Sequence, residues 1–334
     1  VKVVAIVSAD RTSATGAPIN AGDALLTDVL AGALEEAGFG TLVLDFGSPR
    51  REGLGVRRHV SGVRALFRAL KEVDFVVIGG GTMIQEDSDR LLRGSLMRLC
   101  LVVSSACRVA RVPAAFFAVG IDPLPRRVAR VGYRAAVWRR SVWVRDRWSQ
   151  DRAARLLGHT ARLGGDAALL MTVREADSHG DIVLAPNRGS RKSLSEDLQV
   201  RLAPSALVGM SHGEIDDLEG VAQRGNVTTS LDGWERIDEV IAGSRGVVAS
   251  RMHALYLGAL HSKPLLAVGR GEKIRAFARE FEVPMVDSFE DVDSERLCEQ
   301  VDAEAFDKAR ERARVAFSSL VQEINNKTPN GSIR

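Results

Sequence analysis

The sequence predicts an α/β protein of two Rossmann-like domains facing each other across a cleft. Three observations carry that prediction. The chain has 334 residues, too many for one ordinary core and enough for two of roughly 150 residues each. Short apolar runs without alternation, such as Val3–Val7 and Phe75–Ile78, mark strands covered on both faces. Amphipathic segments separate these runs, with about thirty residues from strand to strand at the start, the spacing of a βαβ unit. The rhythm breaks around Gly158, Gly164 and Gly165 and then restarts. The expected organisation is a first domain over 1–157, a second over 158–325 and a polar tail over 326–334.

Composition narrows the class. Hydrophobic residues make up 45% and charged residues 27% of the chain, the balance of a soluble globular protein. A net charge of +3 does not by itself argue for a nucleic acid partner or a membrane surface. Cys100, Cys107 and Cys298 are an odd number without metal-ligand spacing, which suits free, buried thiols in a reducing compartment. There is no CxxC or HExxH and the histidines are scattered, so no metal site is expected. The opening VKVVAIVSAD reads as a strand and polar residues rather than a signal peptide. The apolar run Leu101–Ala106 lies between Arg98 and Arg108 and is too short to span a bilayer. A cytoplasmic location is expected.

Taken in order, Val3–Val7 leads into a polar loop, Ser8–Asp23, closed by Asn20, Gly22 and Asp23. A helix is expected over Ala24–Ala37, where Leu25, Leu26, Val29, Leu30 and Leu34 recur at helical spacing before Gly38 and Gly40 end it. A strand follows over Thr41–Asp45 and a helix over Gly62–Lys71. The strand Phe75–Ile78 runs into Gly79-Gly80-Gly81-Thr82. Glycines at a strand's carboxyl end let the backbone approach a ligand, or simply make a tight turn. The spacing is not GxGxxG, so no dinucleotide site is read. Gln85, Glu86, Asp87 and Asp89 bring polar groups to the same edge, for sugar hydroxyls or for water. A helix over Leu91–Ala110 and a strand over Pro113–Val119 come next. Arg126, Arg127, Arg130 and Arg134 then form a solvated helix face or steer an anionic substrate. Val142–Val144 is a strand ending in Arg145-Asp146, and Ser149 suits the cap of a helix over Gln150–Leu157.

The second half repeats the pattern. Strands are expected at Ile182–Ala185, ending near Arg188, and at Ala206–Met210, Val227–Ser230 and Gly246–Ala249. Helices are expected over 194–202, 214–223, 237–242, 274–281, 294–301 and 303–325, the last packing back on the first domain or serving a dimer contact. The chain is organised around Val247–Lys273, VVASRMHALYLGALHSKPLLAVGRGEK. A buried strand gives way to the polar turn Ser250-Arg251, then to a short apolar helix carrying His253 on its first turn. A second strand and a glycine turn bring in Lys273. The carboxyl edge of a parallel sheet is where ligands bind, and helix N-termini there favour anions. Arg251 and Lys273 would add full charges around a protonatable His253. Each residue alone has an ordinary reading as a cap or a solvated side chain; the combination is the more specific signal.

These stretches together resemble the polysaccharide pyruvyl transferase family. The matching pieces are Asn20-Ala21-Gly22-Asp23, Gly79-Gly80-Gly81-Thr82, Val144-Arg145-Asp146 with Ser149, Asp166 after a glycine pair, and Ser250-Arg251-Met252-His253-Ala254-Leu255 followed by Lys273. The resemblance covers most of the chain, and the last piece is its specific part. It implies a fold like the GT-B glycosyltransferases. It implies transfer of a pyruvyl group from phosphoenolpyruvate to hydroxyls of a glycan or glycoside, forming a ketal. The family's Arg, His and Lys carry over onto Arg145, His253 and Lys273. Ala24 stands where the family often has an acid, and Met83-Ile84-Gln85-Glu86 replaces an apolar pair and an Asp. Both departures concern the acceptor side.

The chemistry fits the residues. Phosphoenolpyruvate carries a carboxylate and a phosphate on three carbons, and arginine's planar fork suits both. Ketal formation needs a general acid–base, for which His253 is the candidate. Arg145 and Lys273 are expected to hold anions and stabilise charge, with Arg251, Ser250 and Arg188 as further donor-side contacts. Asp23, Asn20, Gly80, Gly81 and Thr82 are expected to serve the acceptor or the cleft shape. No metal or cofactor is called for beyond phosphoenolpyruvate as donor substrate. No nucleic acid partner is expected. A peripheral contact with a lipid-linked acceptor is compatible with the class, and the sequence does not fix the oligomeric state. Two alternatives share the fold: a glycosyltransferase using a nucleotide-sugar, and a non-catalytic anion- or glycan-binding protein.

Overall fold

Two parallel sheets organise the computed structural model, which describes residues 1–14, 16–47, 57–86, 96–173, 182–187, 206–211, 226–293 and 301–328. The chain divides into two compact units. The first comprises Val1–Gly16, Leu26–Met171 and Arg310–Arg334, and the second Ala17–Leu25 and Thr172–Ala309. The sequence alone suggests a boundary at 157/158, with Asn20 and Asp23 in the first domain. In the structure both residues count with the second unit, through backbone pairing described below.

The first unit holds β1 (Val3–Val7), β2 (Gly40–Asp45), β3 (Arg57–His59), β4 (Phe75–Ile84), β5 (Ala114–Ile121), β6 (Ser141–Val144) and β7 (Arg162–Leu163). They pair in parallel in the order β3-β2-β1-β4-β5-β6-β7. Every residue of β5 is buried, as expected of a strand with helices on both faces. The order reverses direction between β1 and β4, so the topological switch point lies at their carboxyl ends. Helices α1 (Ala21–Glu36), α2 (Val63–Leu70), α3 (Leu96–Ala110), α4 (Arg127–Val137) and α5 (Arg147–Arg152) connect the strands, α5 running into a π-turn over Ala153–Leu157.

Three expectations are corrected here. α1 begins at Ala21, three residues before the reading placed it, because Asn20 caps it. Gly79–Thr82 is not a loop after a strand. β4 continues through it to Ile84 with a register shift against β5 between Gly81 and Ile84. Gly80 and Gly81 take φ of 74° and 98°, which only glycine adopts without strain, so the ladder kinks and resumes. Ser149 does not cap the helix after β6. Asp146 does, accepting the Ser149 N–H at 2.7 Å, while Ser149 Oγ accepts the Ile121 N–H at 2.9 Å. β3 and β7 were not anticipated because Arg57-Arg58-His59 and Arg162-Leu163 lack the apolar run that marks a strand.

The second unit holds β8 (Ile182–Ala185), β9 (Ala206–Gly209), β10 (Asn226–Thr229), β11 (Gly246–Ala249), β12 (Leu265–Val268) and β13 (Met285–Val286), parallel in the order β10-β9-β8-β11-β12-β13. Its switch point lies between β8 and β11. Described helices are α6 (Trp234–Ala242), α7 (Met252–Leu260), α8 (Glu272–Glu280) and α9 (Ala303–Lys327), the last counting with the first unit from Arg310 onward. An aromatic chain of Tyr256, Phe277, Phe281 and Phe306, with successive centroids 4.9, 4.8 and 5.3 Å apart, cements α7 and α8. In the first unit Phe117 stacks between Trp143 and Phe317 of α9, both at 6.1 Å. Each such aromatic pair adds about 0.5–1.5 kcal/mol to area burial. The helices expected over 194–202 and 214–223 and nearly all of that over 294–301 fall outside the described residues. So do Arg188, Asp87, Asp89 and Cys298. Among the described residues, Cys100 and Cys107 are buried free thiols, and no helix is long and apolar enough to cross a membrane.

Candidate functional site

β11 ends at Ala249, and the chain turns through Ser250 and Arg251 before α7 opens at Met252. From Ala254 to Leu260 every residue of α7 is buried. His253 on its first turn is the helix's polar exception. Ser250 is itself buried, and its Oγ accepts the Asn187 N–H at 2.7 Å. Asn187 follows β8, so this bond closes the switch point between β8 and β11. Arg251 Nη2 donates to Ser211 Oγ at 3.0 Å, at the end of β9. The residues after three neighbouring strands are thereby fastened together.

The segment Asn20–Asp23 joins the same edge. Asn20 forms an antiparallel bridge with Ser211, and the Ala21 N–H donates to the Met210 carbonyl at 2.8 Å. Asn20 Oδ1 accepts the Gly22 N–H at 2.9 Å, which satisfies an orphan donor at the start of α1. The imidazole of His253 lies directly on Gly22. A Cβ at Gly22 would stand 2.1 Å from His253 Nδ1 and 2.8 Å from Cγ, so any side chain there excludes the observed histidine position. Burial pushes the Arg251 guanidinium down from its ordinary value, and attraction to Asp23 opposes that. Asp23 thus acts on the cation beside His253.

Lys273 is half-buried on the first turn of α8, which follows β12. β12 pairs with β11, so Lys273 and the Ser250–His253 turn spring from adjacent strand ends. Among the described residues, the N-cap residues Arg251 of α7 and Gly271 of α8 do not cap their own helix with a side-chain hydrogen bond. Two helix N-termini with this geometry supply amide N–H groups for an anion.

In the first unit Arg145 ends β6. Its side chain is only 3% exposed, with Nε donating to Asp146 Oδ2 at 2.9 Å and Nη1 4.0 Å from Asp166 Oδ2. The guanidinium lies on Gly120, where a Cβ would be 2.7 Å from Cζ. Burial is the largest influence on Asp146 and raises its carboxyl, but Arg145 and the hydrogen bonds from Ser149 outweigh it and hold the group below its ordinary value. Asp166 is fully buried, and burial wins there. Its carboxyl is pushed up despite Arg145 and the Ala168 N–H, with Asp146 adding to the rise. Oδ1 takes that Ala168 N–H at 3.0 Å, while Oδ2 has no hydrogen-bond partner among the described residues.

The structure therefore groups Asn20, Asp23, Ser250, Arg251, His253 and Lys273 at one sheet edge of the second unit. Arg145, Gly80, Gly81 and Thr82 belong to the first unit, the three β4 residues at its switch point. Glu86, read as a group for sugar hydroxyls or water, is instead paired with Arg126, whose backbone N–H it also accepts at 2.8 Å. Arg130 and Arg134 donate to the Leu124 and Leu156 carbonyls. Gly22 and Gly120, on which His253 and Arg145 lie, were not read as site residues. A glycine that makes room for a distant side chain leaves no local pattern.

Comparison with known proteins adds the family. Glycosyltransferase from Rickettsia africae ESF-5 matches with a TM-score of 0.56 at 10% identity, over 99% of both chains. Anabaena Alr3699/HepE, solved with UDP and glucose, gives 0.59 at 13% identity, over 97% of this chain and 99% of that one. UDP-GlcNAc 2-epimerase from Methanocaldococcus jannaschii gives 0.56 at 9% identity, over 96% and 99%. At such identities these matches establish a GT-B-like α/β fold and nothing about activity. No curated protein matches the sequence. The family model for polysaccharide pyruvyl transferase matches residues 20–272, from the α1 cap through His253 to the start of α8, and the chain belongs to that family.

Proposed function

We propose that the protein moves a pyruvyl group from phosphoenolpyruvate to hydroxyls of a glycan or glycoside, forming a ketal and releasing phosphate. The observation that carries this reading is that Arg251 and His253 at the start of α7 and Lys273 at the start of α8 follow adjacent strand ends at one sheet edge. Such an arrangement suits a small substrate with two anionic groups. In the proposed chemistry the enol carbon C3 gains a proton, and a sugar hydroxyl adds at C2 as its proton passes to a base. The second hydroxyl then closes the ketal as the C2–O bond to phosphate breaks. Its proton leaves with the phosphate. His253 is the group that would hold and return protons. Arg251 and Lys273 would neutralise the carboxylate and the departing phosphate.

For Arg145 a specific observation favours a second role. Its side chain is buried between two carboxylates, an arrangement that orients a strand end as well as it could bind a substrate anion.

A thermal titration tests the reading. A ligand that binds only the native state adds about 2.7 kcal/mol at a hundredfold excess over its dissociation constant. Phosphoenolpyruvate should raise the melting temperature where sulfate does not, and Lys273→Ala should abolish the rise. His253→Ala should keep the rise and lose turnover. A rise with nucleotide-sugars and none with phosphoenolpyruvate would replace this proposal with a glycosyltransferase.

A further inference from the structure

The chain's small net charge conceals an uneven distribution. From Leu96 to Arg145 there are ten arginines, no lysine and one acid, Asp122. α3 and α4 lie in this stretch and pack together. α4 turns Ala129, Tyr133, Ala136 and Val137 inward. Its outward stripe is Arg127, Val128, Val131, Arg134 and the C-cap Trp138. Val128, Val131 and Trp138 are 47%, 63% and 57% exposed, and Val109 at the end of α3 is 73% exposed. Trp138 is held outward by arginine. Arg108 Nη2 donates to the Ala135 and Trp138 carbonyls at 2.6 and 3.0 Å, and Arg108 and Arg139 lie over the ring at 5.6 and 4.7 Å.

We propose that this face of α4 seats the protein on an anionic phospholipid bilayer. The pattern is that of a helix lying in a membrane interface, with arginines for headgroup phosphates and aliphatic side chains plus a tryptophan for the acyl boundary. A nucleic acid would engage the arginines but give exposed valines on successive turns nothing to bury against. A second copy of the chain meeting this face symmetrically would set arginine against arginine. The proposal does not depend on the reaction assigned above. It would give an enzyme with a lipid-carried acceptor a reason to work at the membrane.

The test uses the full chain and vesicles of phosphatidylcholine, alone or with phosphatidylglycerol. Co-sedimentation should require phosphatidylglycerol and weaken with salt. Tryptophan emission should shift to the blue on binding, and Trp138→Phe should remove most of that shift. Val131→Glu should weaken binding at least tenfold with the melting temperature unchanged, and Arg127→Ser with Arg134→Ser should weaken it likewise. Absence of binding to anionic vesicles, or undiminished binding by Val131→Glu, overturns the proposal. A chain that ignores vesicles but binds duplex DNA would reassign the face to nucleic acid. One whose mass doubles with concentration until Val131→Glu is introduced would reassign it to self-association.

Discussion

Replacing Gly22 by alanine separates positioning from folding. The new Cβ would stand 2.1 Å from His253 Nδ1, against an ordinary van der Waals contact of about 3.5 Å. The imidazole must therefore retreat by more than 1 Å. A displacement of about 1 Å at a catalytic group costs on the order of a hundredfold in rate, which is about 2.7 kcal/mol. Gly22 stands on the first turn of α1, where alanine's advantage over glycine, about 0.5–1 kcal/mol in a helix interior, offsets part of the cost of moving the ring. The expected Gly22→Ala protein folds and melts close to the native temperature. It still responds to phosphoenolpyruvate, and kcat falls about a hundredfold. The assay is phosphate release from phosphoenolpyruvate with the best acceptor of a glycoside panel. A kcat within threefold of native, in a protein that folds normally, would refute the reasoning, because His253 would then tolerate displacement.

Three further outcomes are expected. Gly120→Ala pushes on a guanidinium that is buried and tied to Asp146, so it should cost stability as well as activity. About 1–3 kcal/mol is expected from overpacking, read as a lower denaturant midpoint. Asp166→Asn tests the raised carboxyl. A group whose folded value is raised contributes stability that is complete below its unfolded value, about 3.9, and lost as pH rises through the folded value. The native melting temperature should therefore lose this contribution on crossing that window, while the Asn variant should not. Parallel profiles for the two proteins would show that Asp166 does not titrate as described. Ser250→Ala removes the acceptor of the Asn187 N–H and should destabilise by about 1–3 kcal/mol, measured by chemical denaturation.

The central strands were readable because parallel strands buried on both faces are spelled as apolar runs, and Ile182–Ala185 and Gly246–Ala249 were placed to the residue. The Ser250–His253 turn was readable for a related reason, since polar residues between a buried strand and a buried helix can only stand at the edge. What escaped the reading depends on distance in sequence. Asn20 and Asp23 were assigned to the first half by proximity. Their placement is fixed by backbone bonds to Met210 and Ser211, which no local pattern announces. β4 escaped in part because Gly79–Gly81 reads as a stop, yet pairing to β5 carries the strand through its kink.

Gly22 links these failures to the chemistry. Its motif, Asn20-Ala21-Gly22-Asp23, reads locally as the close of a loop and was assigned to the acceptor. In the structure each residue does something for the basic edge. Asn20 caps α1 and bridges to Ser211, which also receives Arg251. Gly22 leaves the space His253 occupies, and Asp23 offsets the burial of Arg251. The cluster is thus one construction from two remote segments, and its charge balance depends on both. Removing Asp23 would leave Arg251 buried with less compensation, while Ala24, where an acid is often found, is itself fully buried. A carboxylate at position 24 would be buried next to Asp23, a costly arrangement for two like charges, so the small apolar Ala24 suits the packing at this point of α1.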